Sequence, residues 1–265
     1  MKEAQRHRGD SSLLDQAARR QQTLYDGEYG RLPTNFSGFE KWRLSFIKRN
    51  FQALDLQAGD RFLDIGVGGT GYTVLAAAEI GARAIGIDIS TVACRAATSY
   101  RDQLHMEHDA SFLACSATHL PFLDRSFDKI VCNAILEHVE DDGLAMDEIR
   151  RVCAPAGRVV ICVPNTYLTT SWPLSILNLV NDPRVGHIRH YAASDIALRL
   201  GRRGFRVIDI TYHGHLIKMP QLILSKLAPS LRRNSSRLWW ALEQYDLSLR
   251  DNPSSVNVTV TLERE

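Results

Sequence analysis

Between residues 61 and 163 the chain alternates short apolar runs with longer amphipathic stretches. Runs at 61–65, 84–89, 111–115, 129–133 and 158–163 have the length of strands, and the last is almost wholly apolar. Such runs, without polar alternation, are expected where a parallel sheet is covered on both faces. The stretches at 70–80, from Ser90 to about His105, and at 143–153 read as helices, with Ser90 placed to cap the second. Upstream, Phe39, Trp42, Phe46, Ile47 and Leu54 recur at helical spacing. Downstream, 194–203 reads as a helix capped by Ser194, and 205–211 and 256–262 as strands. The second alternates Val256, Val258, Val260 and Leu262. The pattern predicts a doubly wound α/β domain over 39–265, with an N-terminal extension and cap at 1–38 and a substrate-side insertion at about 213–252.

Composition narrows the partners. Hydrophobic residues are 45% of 265 and charged residues 23%, which suits one sizeable core. The net charge of +2 lacks the basic excess of a dedicated nucleic-acid binder, so no nucleic-acid partner is expected. Five cysteines (Cys94, Cys115, Cys132, Cys153, Cys162) form no C-x-x-C pair and suit buried thiols in a reducing compartment. The first twenty residues are polar, and no apolar run has the length of a membrane span, so the expected location is cytoplasmic. The stretch 215–227 is apolar with interspersed lysines. It suits a helix packed on the core, a pocket for a lipophilic acceptor, or transient membrane-surface contact with Arg232 and Arg233. Pro220 favours the first.

The candidate chemistry begins at Asp64-Ile65-Gly66-Val67-Gly68-Gly69-Thr70-Gly71. Glycines after a buried strand let the backbone turn sharply and approach a ligand at the N-terminus of the next helix. Gly66, Gly68 and Gly71 also satisfy the dinucleotide pattern, so the glycines alone leave two cofactors open. Asp64 discriminates, since a carboxylate there repels a pyrophosphate but can serve the ammonium of a methionine moiety. Asp88, ending the next strand, can accept hydrogen bonds from ribose hydroxyls under either reading.

Further elements follow in order: Gly86-Ile87-Asp88-Ile89-Ser90, Leu120-Pro121-Phe122, Ser126-Phe127-Asp128-Lys129-Ile130-Val131, Leu136-Glu137-His138-Val139, and Glu148-Ile149-Arg150-Arg151-Val152 with Pro155-Ala156-Gly157. With the glycine loop, these resemble the class I S-adenosylmethionine methyltransferases, in the small-molecule branch that includes quinone-biosynthesis enzymes. The likeness covers about residues 39–205. It implies a Rossmann-like, seven-stranded sheet with its last strand antiparallel, and S-adenosyl-L-methionine as cofactor. It implies cofactor contacts from Asp64, Gly66, Gly68, Gly71, Asp88, Ile89, Ser116, Ala117 and Asn133. Ser116-Ala117 stands where the family commonly has an acid followed by alanine at the adenine. Metal-dependent quinone O-methyltransferases carry E-x-x-E-H after the fourth strand. Ala134 replaces its first acid here, so no metal set is expected.

For catalysis the candidates are His138, after the fourth strand, and His187 and His190, in a donor-rich stretch with Arg189 and Tyr191. A histidine there can serve as general base. The stretch can equally bind an acidic or hydroxylated substrate, or be a loop pinned by Arg189 and Tyr191. His119 reads as structural or near the adenine. Tyr25, Tyr29 and Trp42 are placed to close the N-terminal side, although Trp42 at helical spacing suits the core better. Asn133-Ala134-Ile135-Leu136 does not match the N/D-P-P-Y/F/W motif of many amino-methylating nucleic-acid enzymes. The expected activity is therefore methyl transfer to an oxygen or carbon of a small organic acceptor, possible lipophilicity included. An NAD-dependent oxidoreductase and a non-catalytic methyltransferase-like binding protein are the alternatives.

Overall fold

The apolar runs become the strands of one sheet because successive side chains point to opposite faces and both faces are covered. The computed structural model describes residues 16, 18–27, 41–106, 110–218 and 236–265. Seven strands are formed: β1 (Arg61–Ile65), β2 (Arg83–Asp88), β3 (Ala110–Ala114), β4 (Phe127–Asn133), β5 (Cys153–Pro164), β6 (Phe205–His213) and β7 (Asn257–Arg264). Their order is β3-β2-β1-β4-β5-β7-β6, with β7 antiparallel to both neighbours and the other pairings parallel. This is the expected sheet, and β6 and β7 form the expected final hairpin.

The helices are α1 (Lys41–Leu54), α2 (Tyr72–Glu79), α3 (Thr91–Gln103), α4 (Asp142–Val152), α5 (Trp172–Val185), α6 (Ala193–Gly201) and α7 (Ser236–Ser248). On one face Leu63, Ile130, Cys132, Val159 and Ile161 pack with Ile149 of α4 and Ile196 of α6. On the other, Phe62, Val131 and Val160 pack with Phe51 of α1 and Val74 of α2. Neighbouring residues of one strand thus serve separate cores. The order turns between β1 and β4, and a crevice at the carboxyl ends of such strands is where this class of sheet binds ligands.

Ser90 caps α3 as expected, its Oγ accepting from the Ala93 N–H at 3.1 Å. Ser194 does not cap α6. The helix starts at Ala193, and its N-cap is Ala192, extended at φ −76° and ψ 140° without a side-chain cap bond. The preceding Tyr191 fixes that start: its N–H donates to Pro164 O at 3.0 Å, and its hydroxyl oxygen lies 3.0 Å from Leu136 O. The helix expected from Thr70 begins at Tyr72 instead, since Gly68–Thr70 makes a 3-10 turn ended by left-handed Gly71. Helix α5 has no counterpart in the sequence reading.

Within 213–252, the described part is a 3-10 turn at Leu216–Lys218 and α7, which packs against α1 and that turn. Asp246 of α7 accepts from the backbone N–H of Gly214 and His215, at 3.0 and 2.7 Å. The expectations for Tyr29, for the Trp42 side chain, for 219–227, and for Arg232 and Arg233 lie outside the described residues.

Candidate functional site

At the carboxyl ends of β1, β2 and β4 lies a cavity of about 310 Å³. Six of the expected cofactor residues line it: Gly66, Asp88, Ile89, Ser116, Ala117 and Asn133. Gly66 has φ +86°, and a Cβ there would lie 1.9 Å from Ile135 Cδ1, so the turn requires glycine. The N–H groups of Gly66 and Val67 both donate to Ile87 O, at 2.8 and 3.0 Å, which ties the loop to the end of β2.

Asp88 organises this edge. Its Oδ2 accepts from the Gly68 N–H and its Oδ1 from the Ser90 N–H, each at 2.9 Å. A carboxylate oxygen has further acceptor capacity, which Asp88 presents to the cavity. Asn133 Oδ1 is shielded from solvent and has no hydrogen-bond partner among the described residues, so the cavity also contains an unused acceptor.

Asp64, Gly68 and Gly71 do not line the cavity. Gly71 is a packing position, because a Cβ there would meet the Phe112 ring at 2.5 Å. Asp64 is 4% exposed. Burial and the neighbouring Asp88 push its carboxyl up to about 8, while a hydrogen bond with the Thr73 side chain pulls the other way. His119 is exposed, pairs with Thr118 and does not line the cavity.

Asp64 predicts a pH dependence. Its folded-state pKa is raised, so its contribution to stability is full below about 4 and is lost as pH rises through about 8. Glu137, pushed up to about 8 mainly by burial, acts in the same direction. Burial lowers His138 to about 4, which acts oppositely, but only below its ordinary value of 6.5. Between pH 6.5 and 8 the carboxyls dominate among these three. The ligand-free protein should lose thermal stability across that window, and Asp64→Asn should shrink the loss. A flat melting profile in the unsubstituted protein would refute the assignment.

The helix over residues 18–27 covers one side of the cavity with Gln21 and Tyr25. Tyr25 lies edge-on to His138, ring centroids 5.6 Å apart. The sequence reading missed Asp26, which docks this helix. Its Oδ1 accepts from Ser90 Oγ and, at 3.2 Å, from the Val92 N–H, at the N-terminus of α3 where an acid is favoured.

The three histidines converge. His138 lines the cavity and its Nδ1 is 3.1 Å from Gly186 O. A carbonyl only accepts, so Nδ1 carries the proton and Nε2 keeps its lone pair. Rings of His138 and His187 are 4.8 Å apart. Asp182, from the unforeseen α5, joins the other two: Oδ1 is 2.8 Å from His187 Nδ1, and Oδ2 is 2.7 Å from His190 Nε2 and bonds the Tyr167 hydroxyl. His190 Nδ1 is also occupied, 2.7 Å from Asn165 O. Arg189 and Tyr191 serve as pins. Arg189 pairs with Asp142 at 3.0 Å and donates to Glu140 O at 2.8 Å, and the Tyr191 hydroxyl donates to Asp142 Oδ2 at 2.8 Å.

Residues 63–161 match the family model Methyltransf_11, described as a methyltransferase domain. The match runs from β1 to β5 and carries the loop, Asp88 and His138. The chain is similar to the demethylmenaquinone methyltransferase of Clavibacter sepedonicus, 36% identical over 121 residues. That alignment spans 46% of this chain and 46% of the relative, so the chain spans about half the relative's length. Among solved structures, the (4+2)-cyclase SpnF superposes with a TM-score of 0.62 at 21% identity, covering 83% of this chain and 80% of that one. Geranyl diphosphate C-methyltransferase from Streptomyces coelicolor A3(2), in complex with Mg2+, geranyl diphosphate and S-adenosyl-L-homocysteine, superposes with a TM-score of 0.61. It is 18% identical, with 84% of this chain and 79% of that chain covered.

Proposed function

We propose that the chain transfers the methyl group of S-adenosyl-L-methionine to an oxygen or carbon of a small, lipophilic organic acceptor. The observation that carries this reading is Asp88. Its carboxylate is fixed at the end of β2 by Gly68 and Ser90, and faces a cavity walled by the methyltransferase domain's glycine turn. There it accepts from the ribose hydroxyls, while Ser116 and Ala117 stand at the adenine end. Asp64 lies buried at the end of β1, and its carboxyl, raised to about 8 by burial, is mostly protonated at neutral pH.

Methyl transfer is an in-line displacement, so alignment of donor and acceptor supplies much of the rate. His138 is the candidate base, since Nε2 keeps its lone pair and the ring lines the cavity. His187 and His190 position this wall through Asp182. Lipophilicity is supported by the exposed apolar residues Leu168, Trp172, Ile176 and Leu179 on and before α5, whose last residue Val185 lines the cavity. The quinone named for the Clavibacter relative belongs to the same chemical range.

The test is calorimetric titration with S-adenosylhomocysteine and, separately, with NADH. We expect binding of the first alone. Binding of NADH alone would replace this reading with the oxidoreductase, and binding of neither with the non-catalytic protein. A fold shared with a protein named as a cyclase makes the next step necessary. Labelled methyl donor should be consumed with quinol or phenol acceptors, and His138→Ala should lower turnover about a hundredfold if base catalysis operates on an oxygen acceptor. Unchanged turnover in the variant would leave alignment as the mechanism.

A further inference from the structure

We infer that Glu137, His138 and His187 form a binding site for one divalent transition-metal ion, of the Zn2+ type, on the wall of the cavity. One ligand atom from each lies within 4.8 Å of the others. Bonds of about 2.0–2.1 Å in a tetrahedral shell place ligand atoms roughly 3.4 Å apart, so modest side-chain adjustments close the set.

The first independent observation is an orphaned oxygen. Glu137 is 1% exposed, yet its Oε2 has no hydrogen-bond partner among the described residues. Its Oε1 is 3.9 Å from His187 Nε2, beyond hydrogen-bond reach and at a spacing that an ion between them would use. A buried carboxylate oxygen is costly to leave unpaired, and a cation at this point would pair Oε2.

The second is the outer support of the two imidazoles. His187 Nδ1 faces Asp182 Oδ1 at 2.8 Å, and His138 Nδ1 faces Gly186 O at 3.1 Å. Each acceptor holds the proton on Nδ1 and leaves Nε2 as the free lone pair. Metal-binding histidines are oriented in this way, with a carboxylate or a backbone carbonyl on the far ring nitrogen.

A second cluster, Asp182, His187 and His190, has comparable spacing. It is already satisfied: Asp182 takes bonds from Tyr167, His187 and His190, and His190 has acceptors at both ring nitrogens. Between these two clusters the unmet demand sits at Glu137. The sequence reading expected no metal set because Ala134 occupies the place of the missing acid. His187, which follows α5, supplies the third ligand instead.

Two imidazoles and one carboxylate suit Zn2+, Co2+ or Fe2+ over the oxygen-seeking Mg2+. Three protein ligands leave a position for water or an acceptor oxygen, and His138 puts the site on the cavity wall. With an ion bound the Nε2 lone pair of His138 is taken, so its role as base belongs to the metal-free protein alone.

The full chain, stripped with a chelator, is titrated with Zn2+ against a competing chromophoric chelator, and with Co2+ by its visible absorption. One equivalent of each should bind, and millimolar Mg2+ should not displace Zn2+. His187→Ala and Glu137→Gln should each weaken Zn2+ binding at least about tenfold, with circular dichroism confirming the fold. Asp182→Asn keeps all three ligands and should weaken binding about ten- to hundredfold through loss of the orienting bond. His119→Ala, on the exposed surface, should change nothing. Absence of stoichiometric Zn2+ binding by folded protein overturns the site, as does Zn2+ binding that survives both His187→Ala and Glu137→Gln unchanged. The S-adenosylhomocysteine titration is read separately, so failure here leaves the cofactor proposal standing.

Discussion

Asp88→Ala should weaken S-adenosylhomocysteine binding by about 1.5–3 kcal/mol, roughly ten- to hundredfold in dissociation constant. Hydrogen bonds to a charged acceptor have this magnitude, and the variant loses more than a ligand contact. The Gly68 and Ser90 N–H groups, both 2.9 Å from the carboxylate, lose their acceptor, so the glycine turn and the start of α3 lose their common tie. Asp88→Asn retains only one oxygen for those two donors and the ribose, and should fall between wild type and alanine. Calorimetry on protein shown by its melting curve to be folded is the measurement. Wild-type affinity in Asp88→Ala would remove Asp88 from the cofactor site.

Asp142→Ala should cost about 3 kcal/mol of folding stability, at the lower end for a broken buried ion pair because its arginine partners remain partly exposed. The carboxylate takes both Arg199 terminal nitrogens at 2.7 Å, pairs with Arg189 at 3.0 Å and accepts the Tyr191 hydroxyl at 2.8 Å. Those partners hold its pKa below the usual carboxylate value against the opposing effect of burial. Truncation strands two cations at once and leaves the buried Tyr191 hydroxyl with Leu136 O as its remaining acceptor. Urea unfolding reads the loss directly, and a change under about 1 kcal/mol would show that the cluster is dispensable. The same variant should loosen the 186–191 segment, because Arg189 and Tyr191 anchor it next to His187 and His190.

The parallel strands were legible because burial on both faces removes polar residues from them, and β7 because it pairs in the middle of the hairpin half. Helix α5 was not legible. It exposes Trp172, Ile176 and Leu179 while Leu174 is buried, so its apolar positions do not mark a single core-facing stripe, and Pro183 lies inside it. Missing α5 concealed Asp182, whose partners Tyr167, His187 and His190 come together only through the fold. Glycine spacing was legible, but its division of labour was not: Gly66 lines the cavity and Gly71 makes room for Phe112. Ser90 obeyed its local capping rule, whereas at Ser194 the tertiary anchoring of Tyr191 moved the start of the helix.

The docking of residues 18–27 sets a condition on traffic. Ser90 Oγ accepts from Ala93 to finish α3 and donates to Asp26 to hold the covering helix. One hydroxyl therefore belongs both to the permanent frame and to a detachable wall. A ligand beneath Tyr25 is shielded on that side while Asp26 stays seated, and departure by that side requires the seat to be vacated. Under the proposed function, the release of product by this route should depend on a surface helix and one acidic side chain.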